Sequence, residues 1–286
     1  MGEWAKPNNF TAVFRLTSSK YADTFVDKGS IKFNTPQSWI DYSKKYGDGR
    51  GDGYEGTLAF CDSLDVERIS ELTQKYESSC ILNPNTRPLL KEISGRRLFM
   101  KDKRSLELPC FCVYIMKNSL FPFPDSEGQH RVTADIPASY FRDFSDNSLP
   151  EDIEKKPLED QPALIVISDF EEFKNRLYKA LRQLGLEDSE ILIGNVSYFD
   201  FETYGSNGWM DFGGQKHPKE LLVKNIRFAE QSEARVIIKT NKKEVIERLY
   251  VAPIELGSMK DIAQVHKGYL HEGMRVEMTV DIYRNT

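Results

Sequence analysis

One stretch near the start of the sequence decides the fold: AVFRLTSSKYADTFVDKGSIKFNTP (residues 12–36). Its first five residues are apolar except for Arg15, and they predict a β-strand. A helix is expected from residue 18 to residue 28, because serine is a favoured helix cap and Gly29 stands where a helix would end. Residues 31–34 predict a second strand, and Pro36 suits the first turn of another helix. The chain is therefore expected to begin as strand, helix, strand and helix.

Further along the chain, strands and helices follow one another without strict alternation. The hydrophobic patterns predict strands at 57–61, 110–116, 131–136, 163–167, 191–199, 226–229, 234–239 and 275–283, and helices at 36–45, 62–78 and 170–184. A doubly wound parallel sheet needs regular alternation, so this order favours an α+β fold with largely antiparallel sheets. Strands occur near both ends of the chain, which predicts a split core assembled from both.

With 286 residues, the chain could form one large domain or two ordinary ones, and its composition predicts a well-packed core. Hydrophobic residues make up 40% of the chain, enough for a substantial core. No run approaches the ~20 apolar residues that a membrane-spanning helix requires, and the first residues do not resemble a signal peptide. These features predict a cytoplasmic protein that does not associate with membranes.

Cysteine and histidine are few and scattered. The four cysteines and four histidines show none of the paired spacings that zinc sites use. The sequence therefore predicts free thiols and no metal.

Charge is unevenly distributed along an acidic chain. The net charge is -5, with an isoelectric point near 5.6, which argues against indiscriminate binding to polyanions. Residues 87–105 are nevertheless basic, and residues 143–162 form an acidic, proline-containing surface connection. Each could simply be a solvated face. The basic segment could instead contact nucleic acid, and its candidate side chains are Arg96, Arg97, Lys101, Lys103 and Arg104.

A glycine-rich loop at residues 47–56 presents acidic and aromatic side chains. It lacks the lysine of a phosphate-binding P-loop and the final glutamate of a calcium-binding EF-hand. What remains is a loop that carries Asp52, Tyr54 and Glu55. Its carboxylates could cap neighbouring backbone amides, or they could face a substrate.

Four segments, in this order, resemble the ADP-ribosyltransferase superfamily and a bacterial domain family that is itself similar to these transferases. The first is the strand–helix–strand opening with Phe14-Arg15-Leu16. The second, Asp52-Gly53-Tyr54-Glu55-Gly56, is similar to the Asn-Asp-Pro-Phe-Glu loop of the bacterial family. The third and fourth are Gly194-Asn195-Val196-Ser197-Tyr198 and Lys224-x-x-x-Phe228-x-Glu230-x-x-Glu233-x-Arg235. The resemblance implies a single ADP-ribosyltransferase-like domain over residues 1–286, with a split antiparallel core, flanking helices and a divergent middle insertion.

The resemblance also implies a catalytic site. Glu233 matches the catalytic glutamate, which would oppose the positive charge that develops on the ribose of NAD⁺. Gln231 would meet the acceptor, and Asp52 or Glu55 could deprotonate it. An alternative is that Glu230, Glu233 and Arg235 form a surface ion-pair ladder on a strand, with little functional meaning.

A second group of residues would bind NAD⁺, the expected co-substrate. Arg15, with Leu16 beside it, would hold the pyrophosphate as a planar bidentate donor. The remaining candidates are the ribose-orienting pair Asn34 and Thr35 and the ring-stacking pair Trp39 and Tyr54. A core role for Trp39 is an equal alternative.

The function that this resemblance implies is mono-ADP-ribosylation of a macromolecule by a toxin or phage-defence effector. The acceptor would be a nucleic-acid base, in RNA or DNA, or a protein side chain. An inhibitory antitoxin or other regulatory partner would keep the activity silent. Two alternatives remain open: an NAD⁺ glycohydrolase, in which water replaces the acceptor, and a non-catalytic binding module with a transferase fold.

Overall fold

The computed structural model describes residues 13–46, 52–81, 89–115, 122, 124–136, 152, 155–201, 210–211, 219–267 and 273–282. Residues 47–51 of the glycine-rich loop, residues 87 and 88 of the basic segment and most of the acidic connection at 143–162 lie outside these ranges. The described residues form a mixed fold of helices and mostly antiparallel strands, so the α+β class is confirmed. No helix in the described ranges is long and apolar enough to cross a membrane.

The secondary structure runs as follows. The strands are β1 Val13–Ser18, β2 Ser30–Ile31, β3 Thr57–Asp62, β4 Leu89–Ser94, β5 Arg97–Asp102, β6 Cys110–Ile115, β7 Gly128–Ile136, β8 Pro162–Ile167, β9 Ile191–Asn195, β10 Ser197–Phe199, β11 Met210–Asp211, β12 Val223–Asn225, β13 Glu233–Ile238, β14 Ile254–Glu255, β15 Ala263–Lys267 and β16 Met274–Ile282. The α-helices are α1 Ser19–Lys28, α2 Pro36–Tyr46, α3 Val66–Ile81, α4 Lys103–Leu106, α5 Phe170–Gln183 and α6 Lys243–Val251. Short 3₁₀ helices occupy Leu158–Asp160, Asp188–Glu190, Lys219–Leu222 and Ile226–Gln231.

By its contacts the chain divides into two compact units. The first comprises Met1–Ile31, Val113–Leu181 and Ile254–Thr286, and the second comprises Lys32–Cys112 and Arg182–Pro253. Compact units defined by contacts can still fold together as one domain. The single domain expected over residues 1–286 therefore stays a prediction.

In the first unit, β1 lies between β8 and the end of β6, and β15 pairs with the far side of β8, all antiparallel. Strands β7 and β16 form a separate antiparallel pair that is nine residues long. An apolar core joins this pair to the sheet, and it includes Phe14, Tyr114, Val132, Leu164, Val166, Val276 and Val280. Burial of these side chains is the main force that holds the unit together.

The second unit contains a four-stranded antiparallel sheet in the order β11-β3-β5-β4. Leu72 and Tyr76 of α3 pack with the apolar side chains of β3 and β5. Strand β13 pairs antiparallel with β9, while β12 and β10 form a short parallel pair. These last four strands position the candidate site.

The first described strand and helix agree closely with the prediction from the sequence. Helix α1 ends at Gly29, which has the expected left-handed backbone with φ 64° and donates its N–H to the Phe25 carbonyl at 2.7 Å. A side chain at position 29 would meet the Gly257 carbonyl oxygen at 2.6 Å. The second strand is shorter than expected, because only residues 30 and 31 are paired and Asn34 forms an isolated bridge to Cys110.

The strand predicted at residues 226–229 is wrong, because Ile226–Gln231 is a 3₁₀ helix. The Asn225 side chain accepts the N–H of Arg227 at 3.0 Å and caps the start of this helix. Ser232 adopts a left-handed conformation that ends it. Local side-chain caps therefore outweigh the weak apolar pattern here.

Candidate functional site

Arg235 is the centre of a buried charge cluster in the second unit. Its two terminal nitrogens donate to the two oxygens of Glu55 at 2.6 and 2.7 Å, and its Nε donates to Glu233 Oε1 at 2.5 Å. A further N–H reaches the Leu221 carbonyl at 2.7 Å, and the guanidinium carbon lies 5.0 Å from the centre of the Trp39 ring. The planar guanidinium thus bridges two carboxylates while its face lies against an aromatic ring.

Lys224 supplies the second cation of the cluster. Its ammonium donates to Glu233 Oε2 at 2.9 Å and to Gln231 Oε1 at 2.8 Å. The side chains of Lys224 and Glu233 are only 3% and 2% exposed. We refer to Glu55, Lys224, Gln231, Glu233 and Arg235 as the charge cluster. It holds two cations and two carboxylates, so the buried charges can balance.

The turn at residues 52–56 places Glu55 in the cluster. One oxygen of Asp52 accepts the N–H of Tyr54 at 3.0 Å, and the other accepts the N–H of Asn225 at 2.6 Å. The Asp52 carbonyl also accepts the N–H of Glu55 at 3.0 Å. Gly56 has a φ of 68°, and a side chain there would lie 2.4 Å from a methyl group of Leu106. Asp52 therefore caps backbone amides, as one interpretation of the sequence proposed.

A sharp turn at Ser232 brings Gln231 and Glu233 to the same lysine. Ser232 has φ 44° and ψ 51°, and among the described residues it is the only one other than glycine with a positive φ. The N–H of Glu233 donates to the Tyr198 hydroxyl at 2.7 Å, and its carbonyl accepts the N–H of Val196 at 2.9 Å. These bonds hold the start of β13 while the left-handed residue redirects the chain.

Replacing Ser232 by glycine is expected to raise the free energy of unfolding by about 0.5–1 kcal/mol, because glycine adopts a left-handed backbone without steric cost. Urea unfolding would measure the change. Ser197→Gly on the extended strand β10 is the matched control and should lower stability by about 0.5–1 kcal/mol. An equal decrease in the free energy of unfolding for both variants would show that the Ser232 turn carries no strain.

The two carboxylates of the charge cluster titrate differently. Burial acts to raise the pKa of Glu233, but attraction to Arg235 and Lys224 outweighs it and lowers that pKa to about 2. Burial raises the pKa of Glu55, and in this case it outweighs the attraction of Arg235. Glu233 faces two cations directly, whereas Glu55 is bonded to only one of them. Glu233 therefore stays ionised at neutral pH.

Two further side chains surround Glu233. Burial, and then the negative charge of Glu233, raise the pKa of the Cys112 thiol well above its ordinary value, and the thiol is hydrogen-bonded to Glu233. Burial likewise raises the pKa of the Tyr198 hydroxyl. Both groups stay neutral at neutral pH. Tyr198 and Lys224 stand in the sequence only as landmarks of the resemblance, because their spacing does not show that they converge on Glu233.

Of the predicted catalytic residues, Glu233, Gln231 and Glu55 come together in the charge cluster. Asp52 lies beside them and is 0% exposed. The idea that Glu233 and Arg235 belong to a surface ion-pair ladder is wrong, since they are 3% and 1% exposed. Burial makes their ion pairs costly to break.

The predicted NAD⁺-binding residues are spread more widely. Arg15 and Leu16 lie on β1 in the first unit, where they pair with Ile165 and Leu164 of β8. Binding of the NAD⁺ pyrophosphate by Arg15 stays a prediction. In the second unit, Asn34 is exposed, and the Thr35 hydroxyl accepts the N–H of Ser38 at 3.0 Å and so caps α2.

The two aromatic candidates both contact protein side chains. Trp39 is half-buried and packs against Cys110 and Ile237 as well as Arg235. The ring of Tyr54 is stacked on Phe201 at 4.8 Å with an interplanar angle of 18°. One face of Tyr54 is therefore occupied within the protein. Stacking of either ring on nicotinamide stays a prediction.

The basic candidates lie on the β4–β5 hairpin and on α4. Lys101 is 1% exposed, and its ammonium donates to the Gly53 carbonyl at 2.6 Å and lies 2.8 Å from Glu92. This lysine therefore supports the 52–56 turn and offers no charge to solvent. The other four candidates are at least partly exposed: Arg96, Arg97, Lys103 and Arg104. Nucleic-acid contact by these four stays a prediction.

No protein-family model, curated protein or solved structure matches the chain. Within the described residues, no group of three or more His, Cys, Asp or Glu side chains is placed to hold a metal ion. Cys61, Cys110 and Cys112 are free thiols, and the side chain of Cys80 lies outside the described part of the structure.

Proposed function

We propose that the chain is an NAD⁺-dependent mono-ADP-ribosyltransferase that modifies a macromolecule. The observation that carries this proposal is the charge cluster itself. It gathers Glu55, Lys224, Gln231, Glu233 and Arg235, which come from two of the segments that resemble the superfamily and are up to 180 positions apart. Tyr198, from a third such segment, holds the backbone of Glu233.

The state of Glu233 suits the proposed chemistry. Cleavage of the bond between nicotinamide and ribose passes through an oxocarbenium-like transition state, as glycoside cleavage does. A fixed, ionised carboxylate stabilises that positive charge most strongly where water is excluded. Glu233 is buried, its pKa is held at about 2, and Arg235 fixes one of its oxygens. It therefore needs no reorganisation to present a negative charge.

The proposal extends to the acceptor and to the biological role. Gln231 stands two positions before Glu233 and is the residue that we assign to the acceptor, which is a nucleic-acid base or a protein side chain. Such an activity would damage its own cell, so we propose a toxin or phage-defence effector that an antitoxin or regulatory partner restrains. Asp52 and Glu55 are weaker candidates for the acceptor base, because both are already bonded within the protein.

One observation favours a second candidate, a non-catalytic binding module. Both oxygens of Glu233 already accept hydrogen bonds, and its side chain is only 2% exposed. A carboxylate in that state can act as a purely structural counter-charge. In this case the charge cluster would stabilise the fold, and binding would occur on another surface.

Incubation with labelled NAD⁺ separates these candidates. The purified chain would be mixed with NAD⁺ labelled in the adenosine part, with and without total RNA or cell lysate, and free nicotinamide would be measured beside macromolecular label. We expect both nicotinamide release and label on RNA or protein. Nicotinamide release without macromolecular label would indicate that the chain hydrolyses NAD⁺ and does not transfer ADP-ribose. Neither product would contradict the enzyme proposal and support the binding module.

A further inference from the structure

Lys224 has no assigned role in the proposed reaction, although its charged side chain is only 3% exposed. It lies on β12 opposite Tyr198 of β10. Its ammonium donates to Gln231 at 2.8 Å and to Glu233 at 2.9 Å, and it lies 4.7 Å from the centre of the Phe228 ring. Two of the three ammonium donors are thus used in hydrogen bonds, and the positive charge also lies near an aromatic face.

We propose that Lys224 is a positioning residue that ties Gln231 to Glu233 and fixes the rotation of the Glu233 carboxylate. The inference rests on the function proposed above. Arg235 holds Oε1 of Glu233, so the bond from Lys224 to Oε2 fixes the second oxygen and with it the plane of the carboxylate. The same ammonium binds the Gln231 side-chain oxygen across the turn at Ser232.

The orientation of the Gln231 amide follows from this contact. An ammonium can only donate, so the side chain must turn its oxygen toward Lys224. The nitrogen of the amide, which donates hydrogen bonds, then points elsewhere. Lys224 therefore fixes which end of the Gln231 amide lies beside Glu233.

The loss of Lys224 would leave Glu233 in a different electrostatic environment. Glu233 is faced by Arg235 on its own strand, by Lys224 on β12, by the neutral Cys112 thiol on β6 and by the neutral Tyr198 hydroxyl on β10. Glu55 approaches through Arg235. Without Lys224 only one cation remains, so the pKa of Glu233 rises, and its ionised form is lost at a higher pH during acidification.

Lys224→Gln tests this positioning role, because glutamine can still donate a hydrogen bond to Glu233 but carries no charge. For nicotinamide release, we expect kcat to fall about 10²-fold with little change in KM for NAD⁺. The acid limb of the rate profile should move upward by about 1–2 pH units. Lys91→Gln on the exposed face of β4 is the matched control and should change neither quantity.

Acid unfolding provides a readout that does not need catalysis. The acid midpoint of Lys224→Gln should also rise by about 1–2 pH units, whereas Lys224→Arg, which keeps the charge, should stay within a few tenths of the wild type. If Lys224→Gln does not fold, the double variant Lys224→Gln/Glu233→Gln should fold again, because it restores neutrality. A wild type that releases no nicotinamide would end the proposed function, but the acid midpoints would still report on the contact. Unchanged kcat, acid limb and midpoint in Lys224→Gln would overturn the positioning role.

Discussion

Replacing Arg235 by methionine is expected to lower the free energy of unfolding by about 3–5 kcal/mol, because it leaves two buried carboxylates without their shared cation. Glu55 would lose the two bonds to the guanidinium that hold it in the cluster, and Glu233 would keep Lys224 as its one bonded cation. The Leu221 carbonyl would also lose its donor. Urea unfolding, followed by circular dichroism, would measure the loss.

Arg176 of the first unit offers a matched control. It also binds a carboxylate with two nitrogens, donating to the two oxygens of Asp261 at 3.0 and 2.5 Å. Its side chain is 20% exposed and that of Asp261 is 59% exposed, so water can replace the lost partner. Arg176→Met should cost about 1 kcal/mol or less. Equal losses for the two variants would mean that the charge cluster is not energetically different from a surface ion pair.

The elements that the sequence predicted well are those with local signals. Helix α1 ends at Gly29 because a left-handed residue is needed there, and α5 follows from Phe173 and Leu177 at helical spacing, both of which are buried. The helix predicted at 62–78 begins only at Val66. The Asp62 side chain accepts the N–H of Leu64 in the turn before the helix, and the Asp65 side chain accepts the N–H of Arg68 in its first turn. The ends of a helix depend on such caps more than on the periodicity of its hydrophobic residues.

The candidate site could be predicted only in part, since the sequence singled out Glu55, Gln231 and Glu233 but assigned no site role to Lys224 or Arg235. Glu233 and Gln231 were expected together because they are neighbours in sequence. The contact between Glu55 and Arg235 joins residues 180 positions apart, and the bond from Asn225 to Asp52 joins residues 173 apart. No local pattern records such pairings, and none records the left-handed turn at Ser232. The stacking of Tyr54 on Phe201 is a similar long-range contact, and it occupies one face of a ring that we expected to stack on nicotinamide.

Glu233→Gln is the second large effect, and it separates a catalytic carboxylate from a structural one. Glutamine keeps the size of the side chain but removes the charge that would oppose the oxocarbenium-like transition state. Nicotinamide release should therefore fall by ~10²–10³ or more, while the affinity for NAD⁺ changes little, because the charge acts mainly in the transition state. Single-turnover rates and equilibrium binding of NAD⁺ would measure the two quantities.

The control for this variant is Glu230→Gln, which makes the same change three positions earlier on an exposed side chain and should leave the rate within about twofold. Thermal unfolding must accompany the kinetics, since Glu233→Gln also weakens the bonds from Lys224 and Arg235. If Glu233 is purely structural, the Glu233→Gln variant would show a normal rate per folded molecule at a temperature where it stays folded. If Glu233 is catalytic, the folded Glu233→Gln variant would turn over NAD⁺ hundreds of times more slowly than the wild type. A normal rate per folded molecule would assign Glu233 to the stability of the second unit and would leave the proposed reaction without its central group.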